Sequence, residues 1–249
     1  MKSEAPLFII APIPDVFDWT KFPWSGTAKN RISVNNAKFN EMDMLEIIVD
    51  GMPFLLSRFL AAETNKRFAD ERFEQLFSGP PATQESAIAI APRDIVTTAR
   101  HLPEVNRRIL QLGKWIGESL AATAAAWIPS RKIASFAYFD EVVTEYLSGG
   151  PLPVAFQASF TEIGQGCYMT SGLHYFAGQE VRLTAPAGYT GSDISERLVR
   201  IIDDITTHGA LLAPARARGM IDGETLIFSP SDDRRYLDIA IEYPTTITG

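Results

Sequence analysis

The feature that most constrains the fold is a change of hydrophobic period across Ser148-Gly149-Gly150-Pro151. Upstream, apolar residues recur at helical spacing. Val105, Ile109, Leu112, Ile116 and Leu120 form one stripe of a helix expected over about Pro103 to Ala126. Phe139, Val142, Val143, Tyr146 and Leu147 do the same for a helix from about Phe136 to Leu147. Downstream, Pro153 to Glu162 alternates, with Val154, Phe156, Ala158 and Phe160 on one side and Gln157, Ser159 and Thr161 on the other. That is the pattern of a half-buried strand. Helix-period and strand-period runs in one chain predict an α+β fold, a mixed, largely antiparallel sheet packed by amphipathic helices. The chain reads as a single compact domain over residues 1–249, with residues 149–151 as its best internal boundary.

Turn chemistry places further elements. Residues 1–43 are rich in proline, aromatics and turn formers, which predicts an irregular segment with one short strand near Ile32. Met44 to Val49 and Met52 to Leu60 flank Asp50-Gly51, a strong hairpin signal because glycine supplies the positive φ of a tight turn. Pro53 predicts that the second of these strands lies at a sheet edge. A helix is expected over Thr64 to Phe77, stopped by Gly79-Pro80-Pro81, and a buried strand over Ser86 to Ala91. Ala124 to Ile128 either finishes the long helix or forms a strand before Pro129. In the second half, Gly164-Gln165-Gly166 turns into a strand at Cys167 to Thr170, and Glu180 to Leu183 forms the next. A helix from Asp193 to His208 opens on an Asp193/Glu196 capping box and closes at Gly209. Asp222-Gly223 leads into a strand at Glu224 to Ser229, and Tyr236 to Tyr243 forms the last.

Charge and cysteine content narrow the function classes. A net charge of -7 disfavours nucleic acid and anionic membrane as partners, since phosphate binding needs clustered Lys and Arg. The pairs Arg107/Arg108 and Arg234/Arg235 stand among acids and read as solvated surface. With Cys167 alone, no intramolecular disulfide forms, so a reducing compartment is the simplest home. Leu7 to Ile10 is too short for the apolar region of a signal peptide, and Leu120 to Ile128 is too short to span a bilayer. The expected location is cytoplasmic.

Signatures of chemistry are sparse. Cys167 has His174 seven residues on and His208 on another element, but a free cysteine is most often a small core residue. His101, His174 and His208 show no metal-ligand spacing, and Asp203-Asp204 point about 100° apart on a helix, so no metal is expected. No phosphate-binding glycine motif and no nucleophile elbow occur, so no cofactor and no catalytic residue is assigned. The densest polar stretch between predicted strands supplies the candidate binding residues: Thr170, Ser171, His174, Tyr175 and Glu180. Two readings are open there. These groups line a groove, or Thr170 and Ser171 cap a short helix whose Leu173 and Phe176 enter the core while His174 points out.

The stretch Tyr168-Met169-Thr170-Ser171-Gly172-Leu173-His174-Tyr175-Phe176-Ala177-Gly178-Gln179-Glu180-Val181 resembles a segment of the bacterial family called domain of unknown function 4261. Leu45 to Pro53, Glu85 to Pro92 and Ala210 to Thr225 resemble other segments of that family in compatible order. Where the family tends to carry a histidine ahead of its early strand, this chain has Glu85 and Ser86. The resemblance supplies no catalytic residues. It implies a bacterial protein found near toxin–immunity and secretion genes, and hence a protein-binding role. With the acidic charge and the missing catalytic signatures, the expected function is non-enzymatic, as an immunity or accessory factor. A homodimer formed through sheet edges is compatible with it. The rival reading is a small-ligand binder or enzyme using the Cys167/His174 neighbourhood, and a third is a structural part of a larger assembly.

Overall fold

Leu7–Ala11, inside the segment expected to be irregular, is instead a central strand. The computed structural model describes residues 5–14, 16–19, 22–24, 32–35, 44–70, 73–76, 85–93 and 95–243. The fold is α+β, and the strands form two mixed, mostly antiparallel sheets. The chain divides into two compact units, Met1–Gln157 and Ala158–Gly249.

In the first unit the strands are β1 (Leu7–Ala11), β2 (Ile32–Asn35), β3 (Met44–Val49), β4 (Met52–Phe59), β5 (Glu74–Leu76), β6 (Ser86–Pro92), β7 (Ala124–Trp127) and β8 (Lys132–Ser135). The helices are α1 (Ala61–Asp70), α2 (Ile95–Thr98), α3 (Pro103–Ser119), α4 (Phe136–Leu147) and α5 (Val154–Gln157). The sheet order is β2-β3-β4-β6-β1-β7-β8-β5, antiparallel except for β5 beside β8. Every residue of β1, β6 and β7 is buried, because both faces of the sheet centre are covered. Phe8, Ile10, Ala87, Ala89, Ala124 and Ala126 pack on one face with Phe59, Phe68 and Phe73. On the other, α3 comes so close to β1 that a Cβ on Gly113 would lie 2.4 Å from Leu7 Cδ2. Any side chain there would have to displace the end of Leu7.

Several expectations change. β1 was hidden because a strand buried on both faces has no alternation and four apolar residues before two prolines resemble a loop. β4 is an interior strand between β3 and β6, so Pro53 does not mark an edge. Pro53 lies at the end of the β4–β6 ladder, where its carbonyl accepts the Arg93 N–H (3.0 Å) just past β6, so its missing N–H forgoes one bond at the end of that ladder and none within it. The Asp50-Gly51 hairpin holds, with φ of 48° and 85° at its two turn residues. The helix expected over Thr64 to Phe77 begins earlier, where Glu63 accepts the Leu60 N–H at 2.9 Å, and gives way to β5. Gly79-Pro80-Pro81 lies outside the described residues. Past α3, Ala121 turns at φ 51° and Ala124–Trp127 is a strand, which resolves the open choice. Arg107 and Arg108 are not simply solvated. Arg107 donates to the Tyr146 and Leu147 carbonyls at the end of α4, and Arg108 pairs with Asp50 (3.0 Å) and Glu104 (2.8 Å).

In the second unit the strands are β9 (Ser159–Gly164), β10 (Cys167–Ser171), β11 (Glu180–Thr184), β12 (Ala215–Arg218), β13 (Thr225–Pro230) and β14 (Tyr236–Glu242). The helices are α6 (His174–Ala177) and α7 (Gly191–His208). The sheet order is β12-β13-β14-β11-β10-β9, with β11 parallel to β14 and the rest antiparallel. This sheet has one apolar face. Val181, Leu183, Leu226, Leu237, Ile239 and Ile241 are buried, whereas Thr184, Ala240 and Glu242 between them are exposed. α7 buries Ile194, Leu198, Ile201, Ile202 and Ile205 as a stripe.

Two expectations fail in this half. The alternation over Pro153 to Glu162 is not one strand. Val154–Gln157 is a helical turn closed by the Pro153 carbonyl, and it belongs to the first unit, where Lys132 Nζ donates to the Ala155 carbonyl (2.8 Å) and Ser130 to that of Phe156 (2.9 Å). Four residues are too few for the two periods to separate. The capping box of α7 lies three residues earlier than expected. Thr190 Oγ1 accepts the Asp193 N–H (3.2 Å) and Asp193 accepts the Thr190 N–H (2.8 Å).

Candidate functional site

Two polar clusters organise the second unit, and they differ in what they leave free. The first joins the predicted residues Thr170 and Glu180. The Thr170 hydroxyl, fully buried on β10, donates to Glu180 Oε2 (2.7 Å) and accepts the Val181 N–H (2.7 Å). Glu180 Oε1 accepts the N–H groups of Gly172 (2.9 Å) and His174 (3.0 Å). The carboxylate thus caps the single turn of α6, a task expected of Thr170 and Ser171. Leu173 and Phe176 enter the core and the His174 side chain is exposed, as the capping reading expects. His174 Nδ1 lies 2.9 Å from the Gly178 carbonyl, Ser171 sits opposite Ser159 in the ladder, and Tyr175 is half-buried on α6. With its carboxylate committed to three protein donors, this cluster ties β10, α6 and β11 together.

Cys167 is half-buried on β10. Its thiol accepts weakly from the Thr184 hydroxyl at 3.8 Å, and among the described residues no hydrogen bond joins it to His174 or His208. His208 sits in the last turn of α7 and pairs with Asp204 at 3.0 Å. Among the described residues no group of His, Cys, Asp and Glu could hold a metal ion. No helix among them is long and apolar enough to cross a membrane.

The second cluster lies at the β12–β13 hairpin. Glu224 has no exposed side-chain surface and Arg197, on α7, only 4%. Arg197 Nε donates to Glu224 Oε1 (2.9 Å) and Nη2 to Oε2 (2.5 Å), a two-pronged bridge. Arg197 also donates to the Asp193 carbonyl (2.8 Å) and stacks 4.7 Å from the centre of the Tyr189 ring. The Tyr189 hydroxyl donates to Glu224 Oε2 (3.1 Å) and contacts the Tyr243 hydroxyl. Burial alone would push the Glu224 carboxyl up, but the hydrogen bonds from Arg197 and Met220 and the arginine charge outweigh it and hold the group below its ordinary range. Burial, with the bonds to Tyr243 and Glu224, holds the Tyr189 phenol above the usual range, so it stays a donor. Arg197 shares the buried stripe with Ile194 and Leu198, so the bridge turns that stripe toward the hairpin.

Beside this anchor the hairpin is open. Arg216, Ala217, Arg218, Gly223, Glu224 and Thr225 line a groove of about 450 Å³. β12 ends the sheet among the described residues, and Arg216, Ala217 and Arg218 are all exposed. The ladder fixes which backbone groups are unused. Gly219 N–H donates to the Glu224 carbonyl at 2.8 Å, and hydrogen-bonded pairs alternate in an antiparallel ladder, so Ala217 and Ala215 bond β13. The next ladder agrees, because Ser231 N–H donates to Tyr236, which turns Thr225 and Ile227 toward β14. Arg216 and Arg218 therefore hold their backbone N–H and C=O groups outward, along the edge of β12 that no described strand pairs.

The sequence locates the Asp222-Gly223 turn and the strand after it, but not β12 or the bridge behind the hairpin. Glu224 was assigned to the strand itself, and Arg216, Arg218 and Arg197 were passed over. One signal was present: an arginine inside the stripe Ile194, Leu198, Ile201 requires a buried acid to meet it. No protein-family model matches the chain, and no curated protein or solved structure matches it.

Proposed function

We propose that this is a non-enzymatic binding protein that captures an extended segment of a partner protein by adding it as a further strand outside β12. One observation carries the reading: a terminal strand with exposed residues on both faces and two outward-facing backbone positions, held by a buried anchor. Main-chain hydrogen bonds supply affinity in this mode, and alternate side chains supply selectivity. The resemblance to the bacterial family named above, with its toxin–immunity and secretion surroundings, supports a partner of protein nature. The cytoplasm, or another reducing compartment, suits a chain with one cysteine.

The test is recovery of partners from the native host with the full chain and with Arg216→Pro. The proline removes an outward N–H without breaking a bond to β13. A stoichiometric partner retained by the wild type and lost by the variant is expected. Recovery of no stoichiometric partner, or equal recovery by both chains, would overturn the proposal.

A further inference from the structure

We infer, resting on the strand-addition reading above, that the segment received by β12 is acidic, with carboxylates at alternate positions. Arg216 and Arg218 are two residues apart, so their side chains leave the same face of the strand. They are 71% and 78% exposed. A strand laid along the outer edge brings every second side chain to roughly 5 Å from theirs, where opposite charges attract and like charges repel.

The surrounding charges do not cancel this preference. Arg216 lies 3.7 Å from Glu242, and Arg218 pairs with Asp222 in the same hairpin, both in exposed contacts. Exposed pairs contribute little and exchange readily for a better-placed carboxylate. Glu224 also lines the groove, but its charge is met by Arg197 from behind. At the hairpin tip Met220 and Ile221 are 41% and 48% exposed, which gives apolar residues of the incoming segment a place to rest. A second copy of this chain fits less well, because antiparallel self-pairing of β12 sets Arg216 and Arg218 against their own counterparts.

The probe is a dye-labelled peptide of four Glu-Val repeats, compared by fluorescence anisotropy with a peptide of four Lys-Val repeats. The full chain is expected to bind the glutamate peptide at least tenfold more tightly, and Arg216→Glu with Arg218→Glu to reverse the order. N-methylation of the glutamate peptide at its Glu residues or at its Val residues is expected to abolish binding in one of the two versions, since one set of amides faces the edge. That readout requires no change to the protein. Equal binding of both peptides, still blocked by one methylation pattern, overturns the acidic preference and leaves strand addition standing. Binding of neither peptide, or binding indifferent to both methylation patterns, overturns strand addition as well. A dimer dispersed by Arg216→Pro would assign the edge to a second copy and also overturn the inference.

Discussion

The sheet of the first unit and that of the second reach stability by opposite means. In the first, β1, β6 and β7 are apolar throughout and covered on both faces, with alanines at 87, 89, 124 and 126 letting the layers close in. In the second, one face is apolar, and two carboxylates, Glu180 and Glu224, join helices and turns to the strands through hydrogen bonds. Apolar packing is insensitive to pH and tolerates volume-conserving exchanges, whereas a buried ion pair is unforgiving of losing one partner. The β12 edge stands beside one of these polar anchors. Directional bonds hold a hairpin in place without covering it.

The sharpest way to break this contrast is to remove half of the buried bridge. Glu224→Ala leaves Arg197 charged and unpaired, at a cost of about 3–5 kcal/mol, while Arg197→Met combined with Glu224→Leu recovers most of it. Amide hydrogen exchange in β13 and β14 measures both. Acid does the same without mutation. Because the folded Glu224 carboxyl lies below its ordinary range, its contribution is present above that range and is lost as pH falls through the folded value. The Glu224→Ala chain should lack that part of the acid sensitivity.

Ile90→Ala, in the buried centre of the first sheet, is expected to cost about 2–5 kcal/mol with no added pH dependence. Tryptophan fluorescence in a urea titration reports it, since Trp19, Trp24, Trp115 and Trp127 all belong to the first unit. Thr170→Val strips Glu180 of a donor and Val181 N–H of its acceptor, at about 1–3 kcal/mol, visible as faster exchange in β11. Smallest is Gly51→Ala, which meets no neighbour and costs about 1–2 kcal/mol, through the positive φ alone, in the same urea titration.

Legibility in the sequence followed the same division. Elements with a single buried face announced themselves: the stripes of α3 and α4, and the alternation of Leu237, Ile239 and Ile241 in β14. β1 did not, because complete burial erases alternation. β12 did not either, since Ala-Arg-Ala-Arg alternates in size and charge but buries nothing. Of the candidate residues, Thr170 and Glu180 do meet, since ten residues and one helical turn bring them together locally. The Arg197–Glu224 pair spans 27 residues and two elements, and no local pattern names a partner at that range.

The place of β1 between β6 and β7 also sets a schedule. Leu7 pairs with Ile90 on one side and Trp127 on the other, and Trp127 follows it by 120 residues. At about 5–20 residues per second, a ribosome needs roughly 6–24 s to cover that distance. Throughout that interval the sticky segment Leu-Phe-Ile-Ile-Ala has emerged without its second neighbour. A nascent chain of this design depends on being shielded until β7 arrives, and its yield should respond to translation speed over residues 87–127 more than to speed anywhere later.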